Sequence, residues 1–432
     1  MTSSVQVSFL GGVGVIGSSK ILMESEGWRV LLDLGLDIPS GTDLLRAPAA
    51  PRAGRELADR LRLGVAPKVE GLFRSSSVAG TGLGGGPDPK TVVFISHAHL
   101  DHIGLVGWVD PGIEVYAAEE SIRMMRALAV AGPVPEGGIP TWRPLEPGNP
   151  VSWGPFTITG YPVDHDVPGA MGFLVRTEAG SLAYTGDFRL HGRHPEQTES
   201  FARLVQGVDV LVTEGTMLTA GFTSAWRTES QVDEEIRQTL TGTPGLVVIS
   251  IYPRNIERVQ ALIAEAAEAG RTVVWPDAMG RFLREYGLDE IVTWDQGPDL
   301  VEIHAHPDRY VVQFDATDMA HLLDLPLGPG AVFIHANGEP LGAFEPRWEL
   351  FQAWIERLRL PLLMIGSAGH ASPHDLDRVI AMISPRVVIP IHTADPARLL
   401  PPVGTARVLA ERGRTYDLAA LGRSEWADEA VR

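Results

Sequence analysis

The sequence predicts an α/β fold, and three observations carry that reading. Short apolar strands dominate the first half of the chain. After Glu214 the texture changes to alternating helix and strand, and the last section returns to strand, helix, strand. At 432 residues the chain is long enough for two or three domains. With 44% hydrophobic and 21% charged residues it can bury a sizeable core without disulfides.

The opening reads as strand 5–10, a glycine loop, segment 20–25, a turn at Glu26-Gly27 and strand 28–33. Gly12, Gly14 and Gly17 match the dinucleotide fingerprint GxGxxG, with Asp33 where a ribose-binding acid would stand. That fingerprint requires a crossover helix. The few residues between these strands carry a Glu-Gly turn and fit a hairpin instead. Residues 40–90 are rich in Pro, Gly, Ser and Arg, and Ser75–Gly86 is expected to form a mobile surface loop without chemistry.

From Thr91 a buried strand runs to Ile95 and into a histidine-rich loop, followed by strands at 112–117, 156–163, 172–176 and 181–185. The second half reads as helix 229–240, strand 245–252, helix 256–269, and strands 272–276, 310–314 and 331–335. The end reads as strand 360–366, helix 374–383 and strand 387–391. No repeat is evident.

The chain has no cysteine, so disulfides, thiolate nucleophiles and Cys-type zinc sites are excluded. Any metal site must use imidazole and carboxylate. No basic-then-apolar leader and no membrane-length apolar stretch occur, which predicts a cytoplasmic protein with no membrane partner. A net charge of −18 argues against broad wrapping of duplex DNA but leaves room for a narrow nucleic-acid channel. Only Lys20, Lys68 and Lys90 are lysines among the 36 basic residues. Arginine suits bidentate phosphate contacts, although a genome-wide codon preference explains the bias equally well.

The chemistry concentrates in His97-Ala-His99-Leu-Asp101-His102, directly after the buried strand. Four potential ligands lie within six residues, and alternate side chains point different ways, so the loop offers ligands to two metals. Isolated candidates follow other strands: His165 in Val163-Asp-His165, Asp187 in Thr185-Gly-Asp187 and His392 in Pro390-Ile-His392.

At these loops the chain resembles the metallo-β-lactamase superfamily, and with Glu214 and His370 added it resembles the β-CASP nucleases, ribonuclease J and its relatives in particular. The resemblance spans about positions 5–395. It implies an αββα sandwich of residues 1–214 and 361–432, interrupted by an α/β β-CASP domain over 215–360, with the active site in the cleft between them.

The same resemblance implies a ligand set. His97, His99 and His165 would hold one Zn²⁺, Asp101, His102 and His392 the other, and Asp187 would bridge both, with Mn²⁺ or Mg²⁺ as alternative ions. Asp33 would orient a ligand from behind; its bland alternative is a turn cap. Val212-Thr-Glu214-Gly-Thr is similar to the acidic motif that opens the insertion, Ser367-Ala-Gly-His370-Ala to the later histidine motif, and Ile389-Pro-Ile-His392-Thr to the last. Members of that family directed at DNA generally lack the last histidine, so His392 points to single-stranded RNA.

The catalytic residues implied are Asp101, Glu214 and His370. Two zinc ions would activate a shared water and clamp the phosphate, while His370, oriented by Glu214, protonates the leaving oxygen. In the alternative, His370 only positions phosphate. Backbone and side chains at Ser367, Gly369, His370 and Ala371 are expected to help bind a terminal phosphate, and Arg189, Arg193 and Arg254 to line the path. His304, His306, His191 and His194 are expected on the surface or behind the ligands, and Pro373 to start the last helix ahead of His374.

Two departures from the family pattern stand out: the insertion at 40–90, and an end 40 residues after His392 without the additional C-terminal domain. The second counts against dimer assembly and processive exonuclease action, leaves endonuclease action in place, and keeps a homo-oligomer open. Two competing functions remain, a dizinc hydrolase of a small ester, lactam or cyclic nucleotide, and a non-hydrolytic RNA-binding protein.

Overall fold

The structure is a computed structural model and describes residues 4–37, 44–45, 49–131, 136–219, 227–342, 345 and 347–425. The N-terminal strands are β1 (Gln6–Gly11), β2 (Lys20–Ser25), β3 (Trp28–Leu32), β4 (Thr91–Phe94), β5 (Glu114–Ala117) and β6 (Thr141–Pro144). A second group comprises β7 (Pro150–Trp153), β8 (Phe156–Pro162), β9 (Met171–Thr177), β10 (Gly180–Tyr184) and β11 (Val210–Glu214). A third comprises β12 (Val247–Ile251), β13 (Thr272–Trp275), β14 (Val292–Thr293), β15 (Tyr310–Gln313), β16 (Val332–Ala336) and β17 (Leu362–Met364). The chain then adds β18 (Val387–Ile391), β19 (Ala406–Arg407) and β20 (Thr415–Asp417).

Two seven-stranded sheets, ordered β20-β1-β2-β3-β4-β5-β6 and β19-β18-β11-β10-β9-β8-β7, face each other. Period-2 alternation makes the sandwich: Val30 and Leu32 join Val92 and Phe94 in the inner core with Phe173, Val175, Tyr184 and Val212. The alternate residues serve the outer faces. Leu31 and Val93 pack beneath Ile122, Met125 and Leu128 of the helix Glu119–Ala131. Leu211 and Val388 pack under Phe201 of the helix Pro195–Leu204 and Val379 of the helix Pro373–Ile383. These are the four layers expected, and Pro373 does open its helix.

The third sheet, ordered β14-β13-β15-β12-β16-β17, is parallel throughout. It lies in sequence between β11 and β18, which pair with each other in register from Val210↔Val387 to Glu214↔Ile391. The chain therefore leaves the sandwich at Glu214 and rejoins it beside the same strand. The expected return at residue 361 falls just before β17, which the six-stranded sheet keeps by pairing with β16.

The glycine-rich opening is a hairpin, with β1 and β2 antiparallel, so no crossover helix is present for a dinucleotide. The 40–90 segment is less loop-like than expected. It contains the helix Glu56–Leu63, whose Leu57 and Leu61 are buried one turn apart, and Leu72, Phe73 and Val78 join the same core. Val78 lies within Ser75–Gly86, so that stretch is anchored and not merely a surface loop. Part of the segment, 40–43 and 46–48, lies outside the described residues. Among the described residues no helix is long and apolar enough to cross a membrane.

Candidate metal centre

Strands β3, β4, β8, β10, β11 and β18 all run in directions that bring their carboxyl ends to one edge of the sandwich. Asp33, the His97 loop, His165, Asp187 and His392 follow these ends directly or within a few residues, and Glu214 is the last residue of β11. Candidate ligands more than 200 residues apart thus converge without any single segment being unusual.

His97 Nε2 and His165 Nε2 lie 3.1 Å and 3.2 Å from His99 Nδ1. Asp187 joins these three as a compact group, and Asp101, His102 and His392 form a second. His392 Nε2 is 2.9 Å from Asp101 Oδ2, and Asp187 Oδ2 is 3.1 Å from His102 Nε2 and 3.4 Å from His392 Nε2. The carboxylate of Asp187 thus stands between the two sets. Both its oxygens are buried with no hydrogen-bond partner, as is His102 Nε2. A buried carboxylate without a hydrogen-bond partner is costly, and a cation is the partner this donor set fits.

The far nitrogens are held. Asp33 Oδ2 takes His102 Nδ1 at 2.7 Å and the Tyr184 hydroxyl at 2.7 Å, while Asp33 Oδ1 accepts the Ser96 N–H at 2.6 Å. His165 Nδ1 donates to the Gly369 carbonyl at 2.6 Å, and His392 Nδ1 meets Thr216 Oγ1 at 2.7 Å. Such contacts fix ring orientation and leave the opposite nitrogen for a metal. Asp33 therefore lies against the His102 ring, as expected of a residue that would orient it.

Burial and the neighbouring His102, His165 and His99 hold the His97 imidazole well below its usual pKa. Burial likewise brings His99 down to about 4 against the pull of Asp166, and lowers His165. These three favour the neutral form that binds metal. Burial opposes charge on His102, but Asp187, Asp101 and Asp33 outweigh it and hold its pKa well above the ordinary value.

His370 lies beside the two sets, with Nδ1 3.7 Å from Asp187 Oδ2 and 3.5 Å from Glu214 Oε1. Burial works against its charge, but Glu214 outweighs this and raises its pKa to about 9. The nearer contact is Thr216 Oγ1 at 3.2 Å, so Thr216 shares the orienting role expected of Glu214. Glu214 also accepts the N–H groups of Thr216 and Ala371, each at 3.0 Å.

Several expectations need correction. The Ala371 N–H is committed to Glu214, the Ser367 hydroxyl donates to the Arg227 carbonyl, and a Cβ at Gly369 would meet the Asp166 carboxylate at 2.8 Å. In this arrangement the Ser367 hydroxyl and the Ala371 N–H are already committed, and the Asp166 carboxylate stands beside Gly369. Arg189, 1% exposed, is bonded to Glu229, and both Nη atoms of Arg193 bond Asp233, so neither lines a path. Of the three arginines Arg254 reaches the His97–His102 loop, donating to the Ala98 carbonyl. His191 Nε2 lies 3.0 Å from the Ala368 carbonyl, behind His370, while His304 and His194 contact the Asp324 carbonyl and Glu257.

Residue reasoning missed Asp166, whose buried Oδ1 has no hydrogen-bond partner and lies 3.4 Å from the Nε2 atoms of both His99 and His165. Its place directly after His165 was the available signal. Thr216 and Tyr184 carried none, since their contacts exist only in the fold.

Residues 74–241 match the family model of the beta-lactamase superfamily domain. Ribonuclease J of Mycobacterium tuberculosis is 26% identical over 63% of this chain, which spans 44% of that relative's length. Ribonuclease J of Mycolicibacterium smegmatis is 24% identical over 96% of this chain and 75% of its own. A crystal structure of a protein of unknown function from Enterococcus faecalis V583 superposes with a TM-score of 0.81 at 26% identity, covering 96% of this chain and all of that one. With the sandwich and the His/Asp centre, these findings identify a beta-lactamase superfamily domain in the chain. The chain is ribonuclease J-like.

Proposed function

We propose that this chain is a zinc-dependent ribonuclease that hydrolyses phosphodiester bonds of single-stranded RNA, as a 5′-exonuclease, an endonuclease or both. The observation that carries the reading is the buried carboxylate of Asp187, whose oxygens have no hydrogen-bond partner, set between two groups of candidate ligands with His370 alongside. His97, His99 and His165 would hold one ion, Asp101, His102 and His392 the other, and Asp187 both. Two bound ions supply an activated water and neutralise charge on the phosphate, and Mn²⁺ or Mg²⁺ could stand in for Zn²⁺.

The chain's own residues do the rest. Asp33, Thr216 and the Gly369 carbonyl hold His102, His392 and His165 in the orientations that point their free nitrogens inward. Glu214 keeps His370 protonated, so that as water adds to phosphorus and the P–O bond breaks, the departing oxygen can take the proton from this imidazole. The inserted six-stranded unit covers the centre from one side, with Arg254 touching the Ala98 carbonyl. That cover favours a flexible strand over a rigid duplex.

A time course with 5′-monophosphorylated, 5′-triphosphorylated and 5′-hydroxyl single-stranded RNA, labelled at either end, tests the reading. Mononucleotides released from the monophosphate substrate indicate a 5′-exonuclease; internal fragments regardless of the 5′ group indicate an endonuclease. Survival of every RNA in the presence of metal-replete protein would overturn the ribonuclease reading and turn attention to small esters, lactams and cyclic nucleotides.

A further inference from the structure

The loop after β12 carries Tyr252-Pro-Arg254-Asn255 from the inserted unit to the edge of the ligand cluster. The Tyr252 ring packs against His99, with centroids 5.7 Å apart. Arg254 Nη1 donates to the carbonyl of Ala98, between the first two histidines, at 3.1 Å. The buried Arg189 and Arg258 are bonded to Glu229, and the half-buried Arg193 to Asp233. Arg254, only partly buried, has no carboxylate within ion-pair distance among the described residues. One carbonyl occupies one of its five donors.

An acidic protein that leaves a guanidinium without a counter-ion beside a cluster of imidazoles and carboxylates has a cation placed for an incoming anion. The planar fork suits two oxygens of one phosphate. Tyr252 adds a second donor. Its ring contact with His99 sets it beside the same cluster.

We propose that Arg254 and Tyr252 form a backbone-phosphate subsite, through which the inserted unit grips the single strand next to the metal ligands. This rests on the ribonuclease reading. The guanidinium would take the non-bridging oxygens of a phosphate by its free edge while its Ala98 contact fixes its direction. The subsite is indifferent to base identity, because it meets only the backbone.

The test measures equilibrium binding of metal-loaded full-length protein to phosphorothioate single-stranded RNA, which keeps backbone charge and resists hydrolysis, over a range of salt concentrations. Arg254→Ala should weaken binding by roughly tenfold to a hundredfold and reduce the slope of log K against log salt by about 0.7. Arg254→Lys should retain the slope but recover only part of the affinity, and Tyr252→Phe should cost a few-fold with the slope intact. Bound metal, measured by elemental analysis, should match wild type in all three. Wild-type affinity and slope in Arg254→Ala would overturn the subsite, as would a loss of binding accompanied by loss of metal, since the arginine would then only brace the Ala98 loop. Absence of RNA binding by wild type would overturn the ribonuclease reading itself and the subsite with it.

Discussion

His392 Nε2 stands 2.9 Å from Asp101 Oδ2 although the two are 291 positions apart in sequence, and that contact ties the end of β18 to the loop after β4. The inserted unit lies within the span this contact closes. The metal centre and the continuity of the sandwich are therefore one structural problem: His392 reaches the centre only if β18 pairs correctly beside β11. Its φ of 55° at that point turns the ring inward from the strand end.

Asp33 accepts from Ser96 N–H, the Ser96 and Tyr184 hydroxyls and His102, with no donor of its own. Asp33→Asn replaces one acceptor oxygen by an amide that faces these donors and removes the charge that favours the required tautomer. Metal affinity should fall about 10–100-fold, read by competition with a chromogenic chelator. Unchanged affinity would reduce Asp33 to a turn residue.

Gly17 has φ +79° and its missing Cβ would lie 2.8 Å from Asp101 Oδ2, whereas Gly14, at φ +68°, has nothing within 4 Å. Both substitutions to Ala incur the left-handed backbone cost of about 1–2 kcal/mol. Only Gly17→Ala should also lower metal occupancy, by pushing on the Asp101 carboxylate. Equal occupancy in the two variants would mean that the glycine loop serves the hairpin alone.

Glu229 bonds Arg189 and Arg258, and those arginines donate onward to the carbonyls of His165, Ala368 and Ser367. Burial opposes its charge, but Arg258 and Arg189 prevail and bring its pKa down to about 2. A depressed carboxyl pKa stabilises the fold above the unfolded value near 4.5, and that contribution is lost as pH falls toward 2. It is about 3 kcal/mol. Urea denaturation of wild type and Glu229→Gln should show a gap that is full at pH 6 and narrows between about pH 4.5 and 2. A pH-independent gap would mean the cluster acts by shape and not by charge.

His370→Ala should lower kcat on RNA by about 10²–10⁴-fold while metal content stays at the wild-type level. A matching loss of metal would make His370 a ligand, a reading its closeness to Asp187 and His392 also allows geometrically. An unchanged kcat would leave it as a phosphate-positioning group.

Much of the candidate site was legible because its residues are local: His97, His99, Asp101 and His102 follow one strand, and β-strand ends deliver the other candidate ligands. The four layers were expected from family resemblance and appear in the alternation of Leu31 against Val30 and Leu32. What escaped depends on partners distant in sequence. Arg189 reads as a substrate-lining cation until Glu229, forty residues on, neutralises it. Thr216 looks like an ordinary residue until two histidines from β18 and the 367–371 loop come to it. The 40–90 segment hides Leu57, Leu61, Leu72 and Phe73 among glycines and prolines, so its composition pointed to loop while four apolar anchors held it in the core.

The central claim is that two metal ions held by this His/Asp set cleave RNA, and zinc titration into metal-free protein tests it most directly. Cleavage of end-labelled single-stranded RNA should be absent without metal, rise with added zinc and saturate at about two equivalents per chain, with Asp187→Ala inactive throughout. Cleavage at full rate in metal-free protein, or none at any zinc level with both sites filled, would contradict the account.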